Sequence, residues 1–391
     1  MYNDLEYLSV PLPEDVKKLK WYGDFERANH VIDMRLAKDI PTALRKRLEL
    51  EKEILARMPL EYIYSTEEAA ARLIDHVNGA TAEELEKLRD EGFAEWIYVN
   101  GQVRYKDDFL ENMIKTNPDI ASRVKDPKLA EEYDSNRRLL DEIIAEMKEK
   151  GSLAYKMRIR ASLKVKKDAE EIGSKIRVHL PIPLEYAQAE HVELLSCSES
   201  DYVPAPKDQI QRTVFMETEL KPDHEFAIEY QFENHMTYVD PKPEEVLAEQ
   251  PDFYTAEQAP HILFTPYLKS LTAEVIGDEK NPLVKARKIY DYITSHIMYS
   301  FVRQYFTITD IPEYMASGLK GDCGIYALLF ITMCRIAGVP ARWQSGLYAT
   351  PLTIGNHDWA QFYVAPYGWM YADCSFGGAA YRAGAVERWN F

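Results

Sequence analysis

The spacing of hydrophobic positions changes twice along the chain, and each change marks a different kind of structure. Up to about residue 150 the apolar residues recur at helical intervals. Leu44, Leu48, Leu50 and Ile54 follow Pro41, and Ala69, Leu73, Ile74 and Val77 follow Ser65. Ser65-x-x-Glu68 and Thr81-x-x-Glu84 have the form of capping boxes, in which side chain and backbone satisfy each other at a helix start. One hairpin interrupts the helices. Trp96–Val99 and Gln102–Tyr105 flank Asn100-Gly101, a pair that tolerates the positive φ of a two-residue turn. A charged amphipathic helix from about Lys128 to Lys150 closes the region.

From about 153 to 238 the period becomes two. Tyr155, Met157, Ile159, Ala161, Leu163 and Val165 alternate with mostly polar residues. The same alternation continues through Ile176, Val178 and Leu180, then Val192 and Leu194, Val214 and Met216, and Phe226 to Phe232. Short alternating strands between Pro-, Gly- and Asp-rich turns predict an antiparallel sandwich. Pro241-Lys242-Pro243 and Gln250-Pro251 read as a linker.

The third stretch is mixed. Helical spacing covers Val284 to His296, and Gly318-Leu319-Lys320-Gly321-Asp322-Cys323 leads into a helix that runs to about Ile336. Ile325, Leu328, Leu329, Thr332, Met333 and Ile336 form its expected core-facing stripe. Gly338-Val339-Pro340 is a glycine stop with proline beyond it. Strand patterns then hold Arg342 to Tyr348, Asp358 to Val364 and Trp369 to Cys374. The expected fold class is α+β and multidomain: a mostly helical accessory region at 1–150, a β-sandwich-like domain at 151–245 and a catalytic core at 255–391.

Composition narrows the function classes. A chain of 391 residues with 46% hydrophobic and 28% charged residues has material for two or three packed cores. The net charge of −17 argues against nucleic acid and against an anionic membrane surface as partner, since both need a positive footprint. No stretch is apolar enough for membrane insertion, and Met1–Glu6 lacks the basic-then-apolar pattern of a signal peptide. The expectation is cytoplasmic, a trimmed secretion leader being the alternative. Cysteines at 197, 323, 334 and 374 are neither a disulfide framework nor a zinc pattern, and no cofactor or metal is called for.

Cys323 stands apart from the other three. A thiol becomes a nucleophile as its anion, and a helix start offers unpaired N–H groups and a favourable dipole. Gly321 and Gly324 flank the sulfur and leave space for a substrate backbone. Cys197 and Cys334 lack that context, and Cys374 points away from Asp373; all three read as packing. A base is supplied by His357, and Asp373 lies 16 residues further on, across a turn at Ala365–Gly368. Register decides whether the two can meet. Pairing Val364 with Trp369 puts Asp373 opposite Ala360 and gives His357 the wrong parity. A three-residue turn that pairs Val364 with Gly368 makes His357 and Asp373 diagonal neighbours, ~7–8 Å apart at Cα. The triad therefore demands an odd-length turn or a bulge near Pro366. Asp358, the rival orienter, is expected on the opposite face of its strand.

At these residues the chain resembles the transglutaminase-like superfamily. The resemblance rests on Gly321-Asp322-Cys323, Arg335-Ile336-Ala337-Gly338-Val339-Pro340-Ala341-Arg342, His357-Asp358-Trp359, and Gly368-Trp369 with Asp373, in that order. It covers about 120 residues at the C-terminal end. It implies a papain-like fold, a catalytic Cys323–His357–Asp373 triad and a thioester acyl-enzyme. Its side-chain oxyanion donor has no clear equivalent, with Gln304, Tyr305 and Tyr314 as candidates.

Water as acceptor makes such an enzyme a peptidase or amidase acting on a peptide or protein substrate, the reading favoured here. A lysine amine as acceptor makes it a protein-glutamine γ-glutamyltransferase. A non-catalytic peptide-binding protein is the third alternative. Trp343, Trp359 and Trp369 read as core packing in preference to an acyl-binding groove.

Overall fold

The computed structural model describes residues 2–382 and 384. Where the sequence suggests three segments, at 1–150, 151–245 and 255–391, the chain folds as two compact units. One joins the residues up to 136 with those from 241 onward, and the other spans 137–240.

In the first unit the helices Glu14–Tyr22, Phe25–Leu36 and Thr42–Glu61 pack through Val16, Ala28, Ile32, Leu48 and Leu55. Ser65 starts the helix Thr66–His76 with both arms of its capping box: Glu68 N–H donates to Ser65 Oγ at 3.2 Å, and Ser65 N–H donates to Glu68 Oε2 at 2.8 Å. Thr81 accepts from Glu84 N–H in the same way, but the Glu84 carboxylate turns to Arg123. The hairpin has the expected two-residue turn, with Val99 opposite Gln102 and positive φ at Asn100 and Gly101.

This helical region joins the core because its apolar surface is shared with it. Phe306 packs among Leu8, Ile54, Met58, Tyr62 and Ile97. Asn112 accepts from Phe301 N–H at 2.7 Å, and Lys320 pairs with Glu95 at 2.9 Å.

The core of this unit is built around the helix Cys323–Ile336, buried continuously from Gly324 to Arg335. The sequence suggests a one-sided stripe, but helices Pro282–His296 and Ile311–Gly318 and the sheet enclose it. Its run of Ile, Leu, Phe and Met on every side fits that enclosure. The helix ends at Gly338, with φ of 77° and Val339 N–H bonded back to Cys334 O at 2.8 Å. Buried Arg335 donates to Ala341 O and Ala256 O, and so ties the helix end to the first strand of the sheet.

That sheet is antiparallel, with Ala341–Ala349, Ile354–Val364 and Gly368–Ala372 in that order. The stretch expected as a linker is fastened to its second turn. Leu247 N–H donates to Ala365 O at 3.0 Å, Ala365 N–H to Gln250 Oε1 at 2.9 Å, and the Tyr367 hydroxyl to Glu245 at 2.6 Å.

The helix Pro127–Lys150 ends in the second unit, which holds two three-stranded antiparallel sheets. Glu225–Thr237 pairs with both Ser152–Lys164 and Ala189–Cys197. Thr213–Glu219 pairs with both Lys175–Pro181 and Tyr202–Pro204. Val178, Leu180, Val214 and Met216 of one sheet share a cluster with Phe226, Ile228 and Tyr230 of the other. These are the alternating positions of the sequence. Along Ser152–Lys164 the same alternation leaves Tyr155 and Leu163 exposed.

Candidate functional site

Cys323 is the first residue of its helix and is partly exposed. The residue before it, Asp322, is the N-cap. Its Oδ1 accepts from Ile325 N–H at 3.2 Å and from the Tyr305 hydroxyl at 2.5 Å. Burial raises the Asp322 carboxyl, with Tyr305 and the helix N–H groups opposing. Gly324 is required by close packing: a Cβ there would overlap the Tyr305 hydroxyl and lie 2.9 Å from the Trp343 ring.

The sheet supplies the partners. Val364 pairs with Gly368, leaving Ala365, Pro366 and Tyr367 as a three-residue turn. His357 and Asp373 therefore lie diagonally on one face, and His357 Nε2 donates to Asp373 Oδ2 at 2.5 Å. Asp373 Oδ1 accepts from Ser375 N–H at 3.0 Å, Ser375 Oγ at 2.7 Å and Phe376 N–H at 3.0 Å. The carboxylate thus caps the helix Cys374–Arg382 with one oxygen and holds the imidazole with the other.

Burial alone would lower the His357 pKa. Hydrogen bonds to Asp373 and Cys323, with their charges, outweigh it and push the imidazole up to about 10. Cys323 and Asp373 therefore act on one ring. With Nε2 turned to Asp373, Nδ1 is the nitrogen left for the sulfur. Tyr348, Trp359 and Phe376 pack around the ring and limit its rotation.

Asp358 departs from expectation. Its Oδ2 lies 4.0 Å from Cys323 Sγ, where strand alternation assigned it to the far side. Alternation sets the direction in which Cβ leaves a strand; χ1 and χ2 can still bring a carboxylate back over it. Burial raises this carboxyl to about 6, with Asp322 adding and His357 opposing.

Of the candidate oxyanion donors, Tyr305 is held beside Cys323, but its hydroxyl is bonded to Asp322. Burial and then Asp322 hold its phenol well above the usual range, with Cys323 and Asp358 adding. Tyr314 lies under Arg303 instead, 5.1 Å from the guanidinium. Gln304 makes backbone contacts with Thr307. Tyr299, which the sequence did not single out, also reaches the site. Burial raises its phenol, followed by the influence of Cys323, Asp322 and Asp373.

The three tryptophans divide. Trp343 packs beside Gly324 and Trp359 beside His357, whereas Trp369 stacks under Arg342 at 3.9 Å among Phe253, Tyr254 and Tyr363. Cys334 and Cys374 are buried, and burial pushes both thiols well up; Cys197 sits against Met216 sulfur at 3.4 Å. Among the described residues no cluster of His, Cys, Asp or Glu is arranged to hold a metal. No described helix is long and apolar enough to cross a membrane.

Residues 269–374, which span the Cys323 helix, His357 and Asp373, match the transglutaminase-like superfamily. This segment is a transglutaminase-like core. An uncharacterized protein of Haemophilus influenzae is 26% identical over 183 residues, 41% of this chain and 48% of that protein. The chain therefore spans about half the length of the curated relative it matches. Two solved structures are similar to this chain. One is a provisionally named cysteine protease of Cytophaga hutchinsonii, with 16% identity and a TM-score of 0.41 over 57% of this chain and 79% of that one. The other is the periplasmic domain of TgpA from Pseudomonas aeruginosa, with 14% identity and a TM-score of 0.33 over 56% and 75%.

Proposed function

We propose that the chain is a cysteine hydrolase of peptide-like amide bonds, with Cys323 as nucleophile, His357 as acid and base, and Asp373 as orienter. The observation that carries this reading is the single imidazole bonded to Asp373 at 2.5 Å and raised by Cys323. An imidazole held protonated beside the sulfur favours attack by the sulfur as its anion.

The Cys323 sulfur attacks the amide carbonyl, and backbone N–H groups at the helix start stabilise the oxyanion. The imidazolium gives its proton to the departing amine as the C–N bond breaks, leaving a thioester and a neutral imidazole. That imidazole takes a proton from water, the hydroxide attacks the thioester, and collapse releases the carboxylic acid and restores the sulfur anion beside the imidazolium. Asp373 keeps its bond to Nε2 throughout, so Nδ1 carries the moving proton.

A second reading, acyl transfer to an amine, is favoured by Asp358. A carboxylate 4.0 Å from the sulfur can hold a cationic amine beside the thioester, where the neutral His357 imidazole takes its proton and frees the attacking lone pair. The test is alkylation with iodoacetamide, mapping of the adduct, and turnover of amide substrates with and without a primary amine. Preferential labelling of Cys323 and amine-independent release of acid support hydrolysis. Amine-dependent product supports transfer, and full activity in Cys323→Ala overturns both.

A further inference from the structure

Within the first unit, Lys20, Trp21, Met58, the first strand of the hairpin and Arg303 enclose a cavity of about 250 Å³. Its polar lining is cationic and deeply buried: Lys20 is 3% exposed and Arg303 7%. Its aromatic mouth is open, with Trp21 49% and Tyr98 41% exposed.

The cations around it compete for few carboxylates. Glu51 gives one oxygen to Lys20 and the other to Arg47, each at 2.8 Å. Glu95 pairs with Lys320 at 2.9 Å. Burial raises the Glu61 carboxyl, with Lys106 opposing. Arg303 lies 5.4 Å from the Trp21 ring and 5.1 Å from the ring of Tyr314, whose hydroxyl it also meets, and its Nε has no hydrogen-bond partner. A buried guanidinium with an idle donor is costly unless an anion completes it.

We infer that this cavity binds a monocarboxylate with an apolar or aromatic body, the carboxylate on Arg303 and the body between Trp21 and Tyr98. A planar carboxylate matches the fork of a guanidinium. Of the two cations in the lining, Lys20 is paired with Glu51 and Arg303 has no carboxylate, so one negative charge placed on Arg303 completes it. The exposed rings at the mouth would be covered by the ligand body, which gives its affinity an apolar component.

The carboxylate could belong to a free acid or to the C-terminus of a peptide, and calorimetry distinguishes these. Titrating the full chain with N-acetyltryptophan and with its amide should show the acid binding at least ~10-fold tighter, as a charge-assisted bidentate contact requires. A Trp-ending peptide, free or amidated at its C-terminus, forms the second arm. Binding of the free acid alone assigns the cavity to small acids, and binding of the free peptide as well extends it to chain ends. Arg303→Lys keeps the charge, loses the fork and should weaken the acid ~10-fold or more. Trp21→Ala, at the exposed mouth, should weaken acid and amide alike and serves if the Arg303 variant does not fold. Absence of acid binding, equal affinity for acid and amide, or unchanged binding in both variants would overturn the proposal. Because the assay reads binding, failure of the catalytic reading leaves it intact.

Discussion

The Cys323 helix and the strand Ser152–Lys164 stabilise their surroundings in opposite ways. The helix is enclosed on every side and contributes mainly apolar surface, with Arg335 bonded internally at its end. The strand buries little. Its outward residues carry exposed pairs with the neighbouring strand, Arg158 with Glu229 at 2.6 Å and Arg160 with Glu225 at 3.2 Å. A thiol that acts as the proposed nucleophile needs the first kind of support, because its partners must be held within fractions of an ångström. A regular antiparallel sheet tolerates the second, since its register follows from alternation and backbone pairing.

The largest effect should come from loosening the seat around the thiol. Asp373→Asn should lower turnover by about 10³–10⁴-fold, because the imidazole would lose its enforced tautomer. The same variant tests the pH dependence of stability. The folded His357 sits near 10, above an ordinary value near ~6.5, so its contribution is fully present below ~6.5 and is lost as pH rises through about 10. Urea midpoints measured across that window should fall less steeply in Asp373→Asn.

Next comes the core of the second unit. Phe226 is fully buried, and Phe226→Ala should cost that unit about 3–5 kcal/mol. No tryptophan falls between 137 and 240, so tryptophan fluorescence follows the first unit alone. The comparison holds if far-ultraviolet circular dichroism shows an earlier transition while the fluorescence transition stays in place. A matching shift in fluorescence would mean that the two units unfold as one.

A smaller effect is expected at Asp358. Its carboxyl is raised to about 6, so it is neutral below that pH and repels the thiolate above it. Asp358→Asn should speed alkylation of Cys323 about fivefold at pH 8, the effect of ~1 kcal/mol at this separation, and should leave the rate little changed at pH 5. The smallest effect belongs to the sheet surface. Arg158→Ala removes a solvent-exposed pair and should leave the Tm unchanged within error.

Local signals were fully legible. The Ser65 box, the Asn100-Gly101 turn, the Gly338 stop and the alternating Val214, Met216, Phe226 and Ile228 each depend on residues a few positions apart. The helix-start position of Cys323 was legible for the same reason, and so was the parity argument that required an odd-length turn or a bulge near Pro366, which the sheet meets with three residues before Gly368. Asp322 carried a signal that could have been used, an aspartate directly before a helix start.

What the sequence by itself determined was the period of its longer segments, the order of the chemical motifs, and the condition on the turn that His357 and Asp373 must meet. Tertiary structure alone decided which side chains converge. It brought Asp358 to the sulfur, tied Tyr305 to Asp322, bound Gln250 to the 365–367 turn and left Arg303 without a carboxylate. The physical reason is range. Period and capping are properties of neighbouring residues, whereas these contacts join positions up to 115 residues apart and depend on rotamers chosen by packing.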